Sequence, residues 1–229
     1  NTRGDTNTVS MYFWGNGTML ASPPGLYVLD SHRIDGKLSV IYETGRGRPS
    51  RYRTEYPYML SVMTDWQDFD VVVWHGAWIG DTTDEQLLAG GAAPPHKNHF
   101  WTAVHLEHDP VMSSAVALAG RLYLGGHIGA APDPVRYTVN KDAIFSFDAF
   151  HGIGGREMSR DTFTRGSRIA LRPDEAGGVL RDGKPREKMA PPTGPVRTGE
   201  GVVWDWPKKR LVVDRPGAKV YVGPTVPHY

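Results

Sequence analysis

Apolar residues along this chain follow two rhythms. Up to about residue 126 they form runs separated by longer polar stretches, and from about 134 they form short stretches between closely spaced turn residues. Short apolar runs bounded by turn residues read as strands, and apolar residues three and four apart read as one face of a helix. VSMYFW (9–14) predicts a strand, the Gly/Pro-rich stretch 15–25 a loop, and YVLD (27–30) a short strand. LSVIY (38–42), between Gly36 and Gly45, predicts a buried strand. From 54 to 66, Tyr56, Met59, Leu60 and Met63 share a helical face. Thr54 stands where a cap is needed, and Pro57 falls in the first turn, where proline is tolerated. FDVVVW (69–74) predicts a second buried strand. A strand, a helix and a strand of these lengths make a βαβ unit with parallel strands, so that residues 43 and 74 stand at the same end. Residues 80–99 read as loop. DPVMSSAVALAGRLYLGG (109–126) reads as a helix capped by Asp109 and ended by Gly125 and Gly126, with Val111, Ala115, Leu118 and Leu122 on its apolar face.

From 134 the stretches VRYTVN, AIFSFDAF, SRIAL, GVVWDW, RLVVD and AKVYVG predict closely connected antiparallel strands. WDWPKKRLVVD reads as a hairpin turning at Pro207-Lys208-Lys209, and the Gly-, Pro- and charge-rich stretch 172–198 as an exposed loop. The fold class is therefore α/β plus all-β, with an α/β portion over 1–126 and an antiparallel β domain over 127–229. The style changes at HIGAAPD (127–133), and the two portions are expected to need each other, since the apolar face of helix 109–126 must be covered.

Composition narrows the function. The chain has 229 residues, 39% of them hydrophobic, and a formal charge of +1. Its basic residues are spread rather than clustered, which argues against nucleic acid. There is no cysteine, which excludes disulfides and thiolate chemistry. No apolar run is long enough to span a bilayer, so no membrane partner is expected. NTRGDTNTVS lacks the basic-then-apolar pattern of a signal peptide. Either the chain is cytosolic or its signal has been removed, and a secreted or periplasmic setting is expected over a cytoplasmic one.

In parallel α/β folds functional groups gather at the C-terminal ends of strands. Glu43 follows strand 38–42, and Trp74 and His75 end the next strand. A carboxylate and a large aromatic on neighbouring strand ends suit a saccharide. The ring offers an apolar platform, and the carboxylate can attack or stabilise an oxocarbenium centre. The plainer alternative is that Glu43 opens a solvated loop and Trp74 is core. Tyr42 points to the opposite face if the strand stays regular, which makes it packing. Glu55, at a helix start, suits the helix dipole better than catalysis. Arg48, Arg51 and Arg53 could clamp an acidic sugar, but more often such residues pair with nearby acids or water. His96, His99, His105, His108 and Asp109 are the richest potential metal ligands, yet they lack HExxH and cysteine, so no metal is expected. GGHIGAAPD has neither GxGxxG nor a P-loop lysine, and no cofactor is expected. Arg3-Gly4-Asp5 and the sequon Asn16-Gly17-Thr18 are short enough to arise by chance.

RIDGKLSVIYETG followed by RPSRYRTEYPYMLSVMTDWQDFDVVVWHGAW resembles the seventh and eighth βα steps of clan A retaining glycoside hydrolases, which are (β/α)₈ barrels. The resemblance implies a partial barrel followed by a helix and a small antiparallel β-sandwich, with GVVWDWPKKRLVVDRPGAKVYVG as the closing hairpin of the sandwich. It implies Glu43, in YETG, as the nucleophile. Trp74, His75, Trp78 and Arg51 are then the expected substrate contacts. A whole barrel needs roughly 250 residues, and the clan's acid/base follows an Asn that has no counterpart here, since the chain contains no Asn-Glu pair. The expected partners are a saccharide substrate and an N-terminal barrel portion, from the same precursor or another chain. The alternative function is a non-catalytic carbohydrate-binding or structural β-sandwich module.

Overall fold

A computed structural model describes residues 5–13, 17–21, 32–46, 50–75, 106, 109–146, 156–186, 192–199 and 201–224. Among these residues the fold is mixed α/β, with three sheets.

The first sheet contains β1 (Thr6–Phe13), β2 (Leu38–Arg46) and β3 (Val71–Trp74), in that order and all parallel. The βαβ unit expected over 38–74 is present. Its helix, α1 (Glu55–Trp66), starts after Thr54, although the Thr54 side chain makes no capping bond. Tyr56, Met59, Leu60 and Met63 are buried as the spacing required, and so are Ser61, Val62, Thr64 and Trp66. The helix is wedged between the sheet and a second helix, so little of its surface is left for water. That second helix, α2 (Pro110–Leu124), is held at 2.7 Å where the Ser61 hydroxyl donates to the Ala119 carbonyl.

Two expectations need correction here. Strands 38–42 and 69–74 are not buried on both faces: Leu38, Tyr42, Val71 and Val73 are about half exposed, while Ser39 and Ile41 are buried. On α2 the buried residues are Met112, Ala115, Ala119 and Leu122, with Val111 and Leu118 exposed. The start of α2 is as read: the Asp109 carboxylate accepts from the Met112 amide at 3.0 Å, which satisfies one of the orphan donors of the first turn.

The region from 134 opens differently from its reading. β4 (Val135–Asn140) and β5 (Ser167–Arg172) are parallel, not antiparallel. Between them lie α3 (Lys141–Phe145), which takes the start of AIFSFDAF, and α4 (Arg156–Thr164). This is a second parallel crossover, and a parallel pair needs such a long connection. The stretch 172–198 is not wholly loop. It holds β6 (Val179–Arg181), antiparallel to β4, and its hairpin partner β7 (Lys184–Pro185). Asp182 and Gly183, both with positive φ, turn between them, as a two-residue hairpin loop requires.

The third sheet is an antiparallel meander, as expected for its last three strands, while its first strand lies in the stretch read as loop. β8 (Val196–Thr198), β9 (Val202–Asp205), β10 (Arg210–Arg215) and β11 (Ala218–Val222) pair in sequence order. WDWPKKRLVVD makes its hairpin through a 3-10 turn at Trp206–Lys208 and a left-handed Lys209. One core cluster runs from Val9, Ile41, Tyr56 and Met63 to Phe163, Trp204 and Leu211. A smaller one holds Val135, Tyr137, Val139, Ala143 and Ile169.

Candidate functional site

Three parallel strands finish at one edge of the first sheet, and the residues there come from all three. Tyr12 is near the end of β1, Glu43 lies in the last half of β2, and His75 follows β3 directly.

The side chain of Glu43 is placed by an irregularity in β2. Pairing with β1 goes from Val9↔Ile41 to Ser10↔Glu43, which leaves Tyr42 as an extra residue. Pairing with β3 jumps likewise, from Ile41↔Val72 to Thr44↔Trp74. This is a β-bulge, a device that re-aims side chains and is common beside active sites. Ile41 and Thr44 are both fully buried, while Tyr42 and Glu43 between them both leave the buried face. The expectation that Tyr42 lies on the face opposite Glu43 assumed a regular strand, and the bulge overturns it by turning Glu43 onto the open face that Tyr42 shares with Leu38.

Glu43 then meets its neighbours. Its Oε1 is 3.3 Å from His75 Nδ1, and the Tyr12 hydroxyl hydrogen-bonds to Glu43 and contacts His75 Nδ1 at 2.5 Å. Burial, then the hydrogen bond to Glu43 and the charge of that carboxylate, push the Tyr12 phenol well above its ordinary range. It therefore stays protonated and acts as donor. A hydroxyl carries one hydrogen, so when Tyr12 donates to Glu43 its contact with His75 runs the other way, from Nδ1–H to the phenol oxygen. The His75 amide donates to the Thr44 carbonyl at 2.8 Å, which ties the end of β3 to β2.

Behind the carboxylate the backbone is anchored. The Thr44 hydroxyl donates to the Met11 carbonyl at 2.8 Å and contacts the Tyr56 hydroxyl. Arg46, buried, donates to the Gly17 carbonyl and to Ser50 Oγ, and lies 3.9 Å from Glu55. Glu55 accepts from Thr18 Oγ1 at 2.7 Å and from the Met19 amide at 2.9 Å. It is a structural carboxylate, pinning the 3-10 turn Met19–Ala21 to the start of α1.

The remaining expected contacts sit elsewhere. The Trp74 ring packs on Tyr56, with centroids 5.7 Å apart, and joins the main core. With Leu60, Thr64, Ala119 and Tyr123 it walls a groove of about 280 Å³ between α1, β3 and α2. Arg51 lies in the turn before α1, exposed, with its guanidinium 4.9 Å above the Tyr52 ring. Arg53 grips Asp109 through two nitrogens, at 2.5 and 3.1 Å. Trp78, Arg48 and the histidines at 96, 99, 105 and 108 lie outside the described residues, as do strand 27–30 and loop 80–99. Among the described residues no cluster of histidine or carboxylate side chains is arranged to hold a metal ion, and no helix is long and apolar enough to cross a membrane.

Sequence reasoning missed Tyr12. The available signal was its place near the end of a predicted strand, the same position that singled out Glu43 on the next one. No family model matches the chain, and neither does any curated protein or any solved structure.

Proposed function

We propose that this chain is the C-terminal portion of a retaining glycoside hydrolase, with Glu43 as its nucleophile. The observation that carries this reading is the cluster at the sheet edge. A carboxylate at a parallel strand end is drawn out by a bulge and held by groups from both flanking strands. The ionised Glu43 attacks the anomeric carbon and forms a glycosyl ester, and the bond to the leaving oxygen breaks with its electron pair. The Tyr12 hydroxyl fixes the rotamer of the attacking oxygen.

On this reading β1, β2 and β3 are neighbouring strands of a partial (β/α) barrel, and the sheets beyond 134 stand where the resemblance places a small β-sandwich. A second observation supports the partial barrel. Parallel sheets are ordinarily covered on both faces. Here α1 covers one, while Leu38, Tyr42, Val71 and Val73 on the other are about half exposed. An N-terminal barrel portion would cover Leu38, Val71 and Val73, leave the strand ends with Tyr42 and Glu43 open as the cleft, and bring the second carboxyl, roughly 5 Å from Glu43 as a retaining mechanism requires.

The experiment avoids the need for the acid. A 2-fluoro glycoside with a dinitrophenolate leaving group departs without protonation. Incubation with a panel of such glycosides, followed by intact mass and peptide mapping, should find a glycosyl adduct on Glu43 that Glu43→Gln abolishes. The absence of any adduct, in this chain and in a longer precursor alike, would sink the nucleophile. Saccharide binding without adduct would leave the binding-module alternative.

A further inference from the structure

We propose that Tyr42 is the aromatic platform for the sugar ring held at Glu43, an assignment that rests on the saccharide site proposed above. The bulge gives Tyr42 its carboxylate neighbour, because it turns Glu43 onto the face that Tyr42 already occupies. As the extra residue of β2, Tyr42 shares the open face with Glu43 and is 50% exposed, although its strand neighbours Ile41 and Thr44 are fully buried.

The other aromatic at this edge is committed elsewhere. Trp74 pairs with Thr44, on the helix side of the sheet, and spends its ring on Tyr56 and the core. An exposed tyrosine side chain beside a carboxylate presents a flat apolar surface with a polar tip. The ligand that fits is a pyranoside with a free C–H face, placed so that its anomeric carbon reaches Glu43. Tyr42 contacts the ring and takes no part in bond making.

The test is a binding titration of the 229-residue protein with β-linked gluco-, xylo- and manno-oligosaccharides, followed by calorimetry or ligand-observed NMR. Tyr42→Phe should bind as the parent does. Tyr42→Ala and Tyr42→Leu should each weaken binding by about tenfold or more, the loss expected of a stacked aromatic. All three should keep the melting temperature, because the ring is half exposed; Tyr42→Leu keeps apolar bulk without a ring face and stands in should the alanine variant fold poorly. Equal binding by the parent and the leucine variant overturns the platform and leaves the saccharide site standing. No binding to any member of the panel, by the parent and by a longer precursor alike, overturns the platform together with that site.

Discussion

Gln67, just past the end of α1, holds Ser167 at the start of β5 by both ends of its amide. Gln67 Oε1 accepts from the Ser167 backbone N–H at 2.7 Å, and Nε2 donates to Ser167 Oγ at 2.9 Å. Both residues are fully buried, and Ser167 Oγ also pairs with Thr162 Oγ1 at 2.8 Å. Gln67→Ala strands the buried Ser167 N–H and takes one donor away from the Ser167 hydroxyl. It should lower stability by roughly 1–3 kcal/mol. Urea unfolding should show an earlier midpoint with an unchanged slope, and a shift within error would show that this clasp does not hold the two elements together.

Asp109 serves two ends at once, capping α2 and receiving the two-nitrogen grip of Arg53. Asp109→Ala loses the cap, worth about 1 kcal/mol, and also leaves Arg53 without its carboxylate. Asp109→Asn keeps an acceptor for the Met112 amide and should recover part of the loss. The ranking of parent above Asn above Ala in thermal melts checks the assignment. Equal melting for all three would refute it.

Gly201 turns between β8 and β9 at φ +81°, and a Cβ there would stand 2.1 Å from the Asp214 carbonyl oxygen. The Asp214 amide donates to the Gly201 carbonyl, so the two backbones cannot simply part. Gly201→Ala should destabilise by more than about 1 kcal/mol, since both φ and space are wrong for a side chain. Gly36 has a positive φ but nothing near its Cβ, so Gly36→Ala should cost less. Measured side by side, a smaller loss at 201 than at 36 would contradict the packing described.

Asp65 gives a pH signature. Burial raises its carboxyl above 3.8, opposed by hydrogen bonds from the Ile128 and Gly129 amides and by His127, with Asp68 adding a smaller push upward. The folded state then binds this proton more tightly than the unfolded chain does. Its contribution to stability is full below pH 3.8 and is lost as pH rises through the folded value. Asp65→Asn has no proton to lose. The stability difference, variant minus parent, should therefore become more positive from just below pH 4 upward. A flat difference in urea midpoints across that window would show that the carboxyl is not held as described.

The strand–helix–strand unit was legible because its apolar runs are long and its punctuation is clear. The buried face of α2 was not, because Val111/Leu118 and Met112/Ala119 satisfy the same helical spacing, and only the partner helix chooses between them. The parallel crossover between β4 and β5 was hidden for another reason. α3 is too short to show a period, and the sequence of α4 is so polar that it reads as a connector, although Phe163 and Thr162 are buried. At the site, Glu43 could be placed from the strand that precedes it. That Tyr42 and Glu43 share one face could not be read, since a bulge is a property of register between strands, and no glycine marks it.

The bulge also means that β2 is written in two phases. Before Tyr42 the odd-numbered Ser39 and Ile41 go inward; after it the even-numbered Thr44 and Arg46 do. Deleting one residue between 41 and 44 would therefore not be a minor trim. It would restore plain alternation, and whichever residue then stood between Ile41 and Thr44 would be the only one left on the open side. The strand has room for a ring and a carboxylate side by side only because it is one residue longer than its neighbours need.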